Sequence, residues 1–416
     1  MFSSFVKSVF LSLILPVLHQ TNGTNITFVP QSIHITVADL PEPYATPHVV
    51  KEARVYPVPE NPLLYVPDGF TVKLYMSGLL SPRYLIYTPS GDILVSETIA
   101  NRISCLIDNN NYGYPDQRLT FADTSNGLNF PFGMAFVNGY FYVGNQDITR
   151  RYLWTFGSRN ITGTEPLPQA SVQQANLDGS NQTTFVYGIR NPVGLTFHPI
   201  TNNLYATCNE RDGVGDDLVP DYFTRIQQND FYGWPYAYMS SNLTDPRRCF
   251  SNGTSERPDL VSITKTPDVL FQAHSTPLDT RFYTDNQFPS RYRNGAFVTF
   301  HGSLSRSSGV GFDIVFIPFD NITNRPLGYY EKFVYGFLTN PEGPDTFGRP
   351  VGLLVLNDGS LLFTEDGNHP TMNAYAAERH IPIDTWKISF WARNEQSEWR
   401  VLELWRQNDS GSPLPL

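Results

Sequence analysis

A repeated two-strand unit constrains the fold of this chain more than any other feature of its 416 residues. Each copy has a Pro, an apolar stretch, a turn and a second apolar stretch. Five copies are recognisable: Pro82 to Glu97, Pro131 to Asn145, Pro192 to Cys208, Pro277 to Phe300 (with a longer turn), and Pro350 to Glu365. Two apolar stretches on either side of a turn predict a β-hairpin. Because a hairpin cannot bury both faces alone, the copies are expected to stack on one another.

The spacing of the copies favours a β-propeller over an array of β-sandwiches. Repeats of about 40–50 residues with about four strands each are typical of propeller blades. Further short strands between the copies, at 102–107 and 312–317, fit this pattern. In a propeller every inner strand starts at the same channel mouth, which explains the Pro at the start of each copy and predicts one central site.

The composition agrees with an all-β chain and excludes one class of partner. Aromatic residues make up 14% of the sequence, and 30 Gly and 33 Pro provide many turns. The net charge is −10 and no cluster of cations occurs, so a nucleic-acid partner is not expected.

The N-terminus and the Asn-x-Ser/Thr sequons predict a secreted, extracellular glycoprotein. Residues 1–20 carry one Lys before a short apolar run with Pro16, which fits a signal peptide better than a membrane anchor. No later stretch is apolar enough to span a membrane. The sequons begin at Asn22, Asn25, Asn160, Asn181, Asn242, Asn252, Asn321 and Asn408.

Four segments follow from these patterns: a signal peptide (1–20), a Pro-rich leader (21–68), the propeller (69–390) and a polar tail (391–416). The leader is expected either to pack on the propeller or to stay mobile. A first strand is predicted from Phe70 and a last strand at 385–390, with residues 369–384 as an insertion. Of the three cysteines, Cys208 and Cys249 are the preferred disulfide pair, which leaves Cys105 free.

Three unusual stretches follow one another between residues 187 and 238. Arg190 and Asn191 stand before an apolar strand, a Gly-rich acidic turn occupies 209–218, and an aromatic run occupies 231–238. In this order they resemble the sorbosone dehydrogenase and soluble glucose dehydrogenase-type family that uses pyrroloquinoline quinone (PQQ). The stretches 273–277, 288–303 and 348–353 also match, so that the resemblance covers roughly residues 65–368.

The resemblance implies a six-bladed propeller with the cofactor at one end of the channel. It also implies Ca²⁺, a sugar or polyol substrate, and an external electron acceptor. Arg190 would stabilise charge on the quinone, Asn191 would contact the cofactor, and Arg349 would bind a cofactor carboxylate. Four further residues would line the same mouth: Arg83, His274, His301 and Arg306. The turn of Arg211, Asp212 and Gly213 corresponds to the place where relatives bind Ca²⁺, mainly through backbone carbonyls.

Structural roles are the alternative for several of these residues. Arg190 could cap a strand, and the acidic turn could be a solvated loop. His301 follows an apolar strand and fits a core position as well as a site. His198 lies on an apolar strand and is expected to be structural, as is the aromatic run at 231–238.

One departure from the family affects the predicted chemistry. Relatives carry an extra strand pair between the units that start here at Pro131 and Pro192, with the catalytic base in a His-x-Thr-Arg stretch. Here no His occurs between His48 and His198, and five copies stand where six are expected, so one blade is predicted to be incomplete. Either an exon is missing from the sequence, or the propeller is not catalytic, or another residue serves as base.

Two further functions therefore remain open beside a dehydrogenase. One is a secreted propeller that binds a ligand or partner without chemistry. The other is a hydrolase of the lactonase type, which is disfavoured because Arg190 and Arg349 suit an anionic cofactor better than a bare metal ion.

Overall fold

The computed structural model describes residues 24–137, 140–144, 170–174, 183–367, 372–379, 406–407 and 413–414. Nearly all elements in these ranges are β-strands. The described helices are one α-helix, α1 (Pro258–Ser262), and four 3-10 turns at Val37–Asp39, Thr124–Asn126, Pro246–Arg248 and Ser290–Tyr292. None of them is long and apolar enough to cross a membrane. The predicted signal peptide lies outside the described residues.

The N-terminal leader packs on the rest of the chain, which is one of the two predicted outcomes. It contains four short strands: β1 (Thr24–Phe28), β2 (Ser32–Ile33), β3 (Arg54–Val55) and β4 (Leu63–Pro67). β1 pairs in parallel with β4.

The predicted hairpins begin directly after the leader. A long strand, β5 (Phe70–Leu79), comes first. An antiparallel sheet follows, with β6 (Pro82–Tyr87), β7 (Ile93–Glu97), β8 (Arg102–Ile107) and β9 (Gln117–Ala122). Two separate hairpins come next, β10 (Met134–Val137) with β11 (Tyr140–Val143) and β12 (Ser171–Gln174) with β13 (Thr183–Tyr187).

Two larger sheets follow. One sheet contains β14 (Pro192–Phe197), β15 (Leu204–Cys208), β16 (Tyr222–Arg225) and, after the hairpin β17 (Ala237–Tyr238) and β18 (Ser240–Thr244), β19 (Val269–Leu270). The other contains β20 (Pro277–Phe282), β21 (Ala296–Phe300), β22 (Asp313–Ile317) and, after the hairpin β23 (Phe319–Asp320) and β24 (Arg325–Pro326), β25 (Tyr330–Val334). The leader strand β2 adds to the outer edge of this second sheet by pairing with β25.

The last large sheet joins the two ends of the described domain. Its strands are β28 (Pro350–Val355), β29 (Leu361–Glu365) and β30 (Met372–Arg379), and β5 pairs with β30 as its outermost strand. The remaining short strands are β26 (Leu338–Asn340), β27 (Asp345–Thr346), β31 (Arg406–Gln407) and β32 (Pro413–Leu414). Of these, β27 pairs with the leader strand β3. β30 lies within residues 369–384, which were interpreted from the sequence as an insertion, and the strand predicted at 385–390 lies outside the described residues.

All five predicted hairpins are confirmed as β6–β7, β10–β11, β14–β15, β20–β21 and β28–β29. Their first strands lie side by side in the order β10, β6, β28, β20, β14. Apolar side chains fill the space between neighbouring sheets, and aromatic rings such as Phe288, Phe297 and Phe333 dominate the largest cluster. The arrangement is that of a propeller, but six blades are not seen among the described residues.

A repeated hydroxyl contact ties neighbouring sheets together at the start of three inner strands, β14, β20 and β28. Thr207 on β15 accepts a hydrogen bond from Gly194 N (2.9 Å) and donates one to Leu278 O of the next sheet (3.1 Å). The same pair of bonds is made by Thr299 with Asp279 N and Val351 O, and by Thr364 with Gly352 N and Arg83 O. We call these three contacts the hydroxyl clasps. They fix one register for the inner strands around the channel.

Gly is the third residue of three copies, at 133, 194 and 352, and the clasps explain it in the last two. A Cβ atom built on Gly194 would lie 2.5 Å from Leu278 O, and one built on Gly352 would lie 2.0 Å from Arg83 O. Only a residue without a side chain lets the strands approach this closely. The Pro-x-Gly pattern therefore reflects close packing between sheets at Gly194 and Gly352, whereas a Cβ atom on Gly133 would meet nothing within 4 Å.

One inner strand, β14, is less covered than the others. The fourth residue of the inner strand is buried in three sheets, with Leu85 1%, Thr280 0% and Leu353 0% exposed, whereas Leu195 on β14 is 42% exposed. Phe197 on the same strand is 60% exposed. Within the described residues the neighbour of β14 on this side is thus incomplete. Residues 145–169, where the base-bearing stretch of relatives was sought, lie outside the described part.

The predicted disulfide is wrong. Cys105, Cys208 and Cys249 are all free thiols. Cys208 is fully buried in β15 and directs its Sγ toward Asn209 O, whereas the Sγ of Cys249 faces Asp245 O. The two side chains therefore serve separate local contacts.

Candidate functional site

The predicted site residues gather at one end of the channel because of how hairpins are built. The start of the first strand and the end of the second strand lie at the same edge of an antiparallel pair. We call the residues at this edge the mouth; they occupy positions 82–83, 190–191, 209–217, 274–276, 301–307, 349 and 366. A cavity of about 410 Å³ lies between the inner strands beside Arg83, Gly194, Asp279 and Gly352.

His301 and Asp366 form a closely hydrogen-bonded pair at the mouth. His301 Nε2 is 2.7 Å from Asp366 Oδ1, and Arg83 contacts the other carboxylate oxygen. The pKa of His301 is lowered to about 4, mainly by burial; Asp366 opposes this shift, and Arg349 and Arg83 contribute to it. Burial opposes the ionisation of Asp366, but His301 and Arg83 lower the pKa of this carboxyl below its usual range.

The pair therefore has a defined proton arrangement at neutral pH. Because Asp366 is ionised and His301 is neutral, the Nε2–H of His301 donates to the carboxylate. Its Nδ1 has no hydrogen-bond partner among the described residues and remains a proton acceptor. A neutral imidazole oriented by a buried carboxylate is the usual arrangement of a general base.

Arg349 lies next to this pair and differs from the other arginines of the mouth. Its Nε donates to His301 O (3.0 Å), its Nη2 approaches Gly302 O (3.4 Å), and its guanidinium lies over Phe312. Burial lowers the pKa of Arg349. In the described part of the chain no carboxylate forms an ion pair with it. A partly buried cation without a carboxylate partner is suited to an anionic ligand.

A second cluster connects Arg190, Asp212 and His274. Arg190 Nη2 lies 3.1 Å from Asp212 Oδ2, and His274 Nδ1 lies 3.3 Å from Asp212 Oδ1. Burial opposes ionisation of Asp212, but His274 and Arg190 lower its pKa to about 2. Burial works against protonation of His274, but Asp212 and the carbonyl of Gly215 raise the pKa of this imidazole. Asn191 joins the cluster through its carbonyl, which accepts from Asn209 N at 3.0 Å.

Arg306 completes the set of cations. Its Nη2 lies 2.7 Å from Asp217 Oδ1, and its Nη1 donates to Asp216 O. Its Nε, like that of Arg83, is buried without a hydrogen-bond partner in the described structure. Besides the fully buried Arg211, the mouth thus holds four guanidinium groups, two of which carry an unused donor.

Arg211 has a structural side chain. It is 1% exposed and pairs with Glu210 Oε2 (2.8 Å) and Asp245 Oδ2 (2.9 Å). Its guanidinium lies 4.9 Å from the ring of Trp234, which anchors the aromatic run at 231–238. The guanidinium is therefore not available to a metal, and only the backbone of this residue remains for the predicted role. His198 is also structural, as expected, because it is buried and its Nδ1 accepts from Ile200 N and Thr201 N.

The predicted Ca²⁺ turn holds no cluster of side-chain ligands. Among the described residues no group of three or more His, Cys, Asp or Glu side chains is arranged to hold a metal. Both oxygens of Asp212 face cations, and its carbonyl accepts from Arg247 Nη1 at 2.9 Å. Gly213 has a φ of +88°, as a tight turn requires. Nearby, Asn209 Oδ1 and Glu210 Oε1 are buried oxygens without a donor in the described structure.

Two important acidic residues were missed in the sequence. Asp366 follows β29 at the position that His301 occupies after β21, so aligning the copies by their second strands would have found it. Asp221 lies behind His274 and accepts from Glu210 N (2.7 Å) and Thr276 N (2.8 Å). Burial raises the pKa of Asp221 to about 7. No motif marks Asp221, because its partners are distant in the sequence.

The fold and the mouth together define an all-β protein of propeller type with arginines around one end of its channel. Residues 221–371 match the family model described as TrAA12-like. An uncharacterized protein of Borreliella burgdorferi is 33% identical over 235 residues, which are 56% of this chain and 59% of that protein. A pyrroloquinoline quinone-dependent sugar dehydrogenase of Hypocrea jecorina is 25% identical over 215 residues, 44% of this chain and 46% of that protein. The chain thus matches about half the length of these relatives.

Solved structures share the fold. The calcium structure of a Trichoderma reesei carbohydrate-active enzyme of family AA12 has a TM-score of 0.59 and 19% identity, over 79% of this chain and 98% of that one. The holo form of the pyranose dehydrogenase PQQ domain from Coprinopsis cinerea has a TM-score of 0.58 and 16% identity, over 78% and 98%. The resemblance to PQQ-dependent sugar dehydrogenases is therefore confirmed, as a fairly distant match.

Proposed function

We propose that this chain is a PQQ-dependent oxidoreductase that oxidises a sugar or polyol and passes the electrons to an external acceptor. The observation that carries the proposal is Arg349, a partly buried cation at the channel mouth with no carboxylate partner in the described structure. PQQ is a tricarboxylate, and a guanidinium that forms no ion pair within the described residues suits one of its carboxylates.

Different residues of the mouth would contact different parts of this cofactor. Arg349 would bind a carboxylate directly, and the unused Nε donors of Arg83 and Arg306 would contribute further hydrogen bonds. Arg190 would face the quinone oxygens, supported by its ion pair with Asp212. When bound, the quinone supplies the two-electron acceptor. The protein supplies orientation and positive charge.

The proposed Ca²⁺ ligands are backbone and side-chain oxygens of the acidic turn rather than a cluster of carboxylates. The side chain of Asp212 is already paired with Arg190 and His274. The backbone of the turn at 211–213 and the unpartnered oxygens of Asn209 and Glu210 are the hard ligands that Ca²⁺ prefers. Chelation is expected to weaken PQQ binding if this part of the proposal holds.

His301 is the proposed proton acceptor in place of the base that relatives carry. Its Nδ1 is unpartnered among the described residues and its Nε2–H is held by Asp366. It would take the hydroxyl proton of the substrate at Nδ1, and Asp366 would stabilise the resulting imidazolium. His274 is less suited, because both of its nitrogens are already engaged by Asp212 and Gly215.

A binding module without chemistry remains the second candidate. It is supported by the lack of a His between His48 and His198 and by the exposure of Leu195 (42%) and Phe197 (60%) on the neighbouring strand β14. A propeller that has lost a catalytic segment can keep its mouth for recognition.

Secretion and glycosylation belong to the same proposal. The side chains of Asn242, Asn252 and Asn321 are exposed, as glycan acceptors must be. Sugars outside the cell would then be the accessible substrates.

The test is reduction of bound PQQ by sugars and polyols under anaerobic conditions, followed by absorbance. We expect at least one of them to reduce the loaded wild type. In H301Q the reduction should be roughly 10²–10⁴-fold slower, with PQQ affinity within a few fold of the wild type. H34Q changes an exposed histidine of the leader and is the matched control.

Two results would count against the proposal. A loaded wild type that no sugar or polyol reduces would favour the binding module. An H301Q variant as fast as the wild type would leave the dehydrogenase in place and remove His301 as its base.

A further inference from the structure

The leader crosses the two loops that hold the mouth. Its backbone pairs with the first of them, the acidic turn: Tyr44 N donates to Val214 O at 2.7 Å. Two residues later, Thr46 Oγ1 accepts from Asp216 N at 2.7 Å. The leader thus contacts this turn on both sides of Gly215.

Gly215 shows how closely the leader approaches. A Cβ atom on Gly215 would lie 3.1 Å from Thr46 Oγ1 and 3.4 Å from Thr46 O. Gly215 also has a φ of +130°, a conformation that other residues rarely adopt. This glycine therefore permits contact with the leader in addition to the tight turn expected from the sequence.

The same leader segment reaches the second loop at Lys51. Lys51 N donates to Leu304 O at 2.7 Å, and its Nζ lies 3.1 Å from Ser307 O. The two loops are also joined directly, because Ser307 N donates to the carboxylate of Asp216 at 3.1 Å. The segment 44–51, which we call the strap, and the two loops therefore form one connected unit.

Two mouth residues depend on the loop backbone that the strap touches. His274 Nε2 is 3.0 Å from Gly215 O, and Arg306 Nη1 donates to Asp216 O. His274 in turn orients Asp212, the partner of Arg190. A shift of the turn at 214–216 would therefore displace three of the proposed cofactor contacts.

We propose that Thr46 is a positioning residue for the mouth, and that the strap at 44–51 sets the affinity of the site for its anionic cofactor. The inference rests on the proposed function for the identity of the ligand. It assigns a role to the Pro-rich leader, which no motif in the sequence indicated. Thr46 touches no ligand itself and acts through the backbone of Gly215 and Asp216.

The test compares T46V with T46S. Val has the shape of Thr but no acceptor for Asp216 N, whereas Ser retains the hydroxyl. We expect T46V to raise the Kd for PQQ about tenfold, as the loss of a partly buried hydrogen bond predicts, and T46S to match the wild type. Amide exchange at Gly215, Asp216 and Ser307 in the cofactor-free protein should become faster in T46V alone.

A control separates positioning from general loosening of the leader. R54A removes the ion pair of Arg54 with Asp345 (2.6 Å), which fastens the leader at the pairing of β3 with β27. It should leave both PQQ affinity and exchange at 215–216 unchanged.

The outcomes distinguish this inference from the proposed function. A wild type that does not bind PQQ overturns the proposed function. Amide exchange at 215–216 in T46V then still tests whether the strap positions the turn. Unchanged exchange in T46V overturns the strap whatever the ligand. An unchanged Kd for PQQ in T46V, with binding by the wild type intact, overturns the strap and leaves the proposed function standing.

Discussion

At the scale of single residues, the mouth is a set of cations that are matched to carboxylates in all but one case. Arg83 has Asp366, Arg190 has Asp212, and Arg306 has Asp217. Arg349 contacts carbonyls and an aromatic ring and forms no ion pair within the described residues, although the nearby Asp366 opposes the lowering of its pKa by burial. Charges removed from water are costly unless they are paired, so the unpaired guanidinium is where an anionic ligand gains most.

The pH dependence of stability tests the environment of His301. Burial holds the pKa of His301 at about 4, below its ordinary value of 6.5. Between these values the unfolded chain binds a proton that the folded chain does not, so the contribution of His301 to the free energy of unfolding rises with pH. The difference between wild type and H301Q should grow by roughly 1–3 kcal/mol from pH 4 to 6.5 and then stay constant.

Chemical denaturation at a series of pH values gives this difference. H34Q, which changes an exposed position of the leader, serves again as the control. A difference that is flat, or that shrinks with rising pH, would mean that His301 is not held neutral by burial.

At the scale of elements, the fold depends on hydroxyl contacts that recur at one register. Each clasp satisfies a backbone N–H of its own sheet and a backbone carbonyl of the next. These groups lie in the tightly packed zone where inner strands meet. Their satisfaction is a condition for burying the channel wall.

Removal of one clasp should destabilise the whole protein. T207V keeps the shape of the side chain but leaves Gly194 N and Leu278 O without this partner, at a cost of about 2 kcal/mol. T71V is the matched control, because Thr71 Oγ1 is buried without a partner in the described structure and its replacement should be neutral or stabilising. Urea denaturation gives the free energy of unfolding of both variants. Equal stability of T207V and wild type would contradict the structural role of the clasps.

The hairpins could be predicted from the sequence because their signals are local. Pro, Gly and alternating apolar residues mark each copy, and the register of Gly194 and Gly352 is a direct result of strand packing. Long-range pairings leave no such signal. The pairing of β5 with β30 and the contact of Thr46 with Asp216 join residues far apart in the chain, so neither was predicted.

The candidate site was predicted unevenly for the same reason. Arg190, Arg349, His274, His301, Arg306 and Arg83 are brought to one mouth, because each stands at the start or end of a hairpin or in a loop beside it. The role of Arg211 was not foreseen, since its partner Asp245 lies in a separate loop. Asp366 was missed although the repeat contained it.

At the scale of the whole molecule, the N-terminal region contacts the sheets and loops of the propeller-type fold at three places. β5 completes the last sheet, β2 extends another, and the strap crosses the loops of the mouth. Stability and cofactor affinity should therefore be coupled through this region. Among the described inner strands, β14 has an exposed face, formed by Leu195 and Phe197, that no neighbouring sheet covers completely.

The measurement that tests the central claim most directly is equilibrium titration of the purified protein with PQQ, with and without Ca²⁺, read by tryptophan fluorescence. Trp234 lies against Arg190 and Arg211 and should report on the mouth. We expect saturable binding by the wild type and a Kd raised roughly 10–100-fold in R349A, the range of a lost charged hydrogen bond. R291A removes an arginine that pairs with Glu331 away from the mouth and should bind as the wild type does. No saturable binding by the wild type, or equal affinity in R349A, would contradict the claim that this mouth holds an anionic quinone.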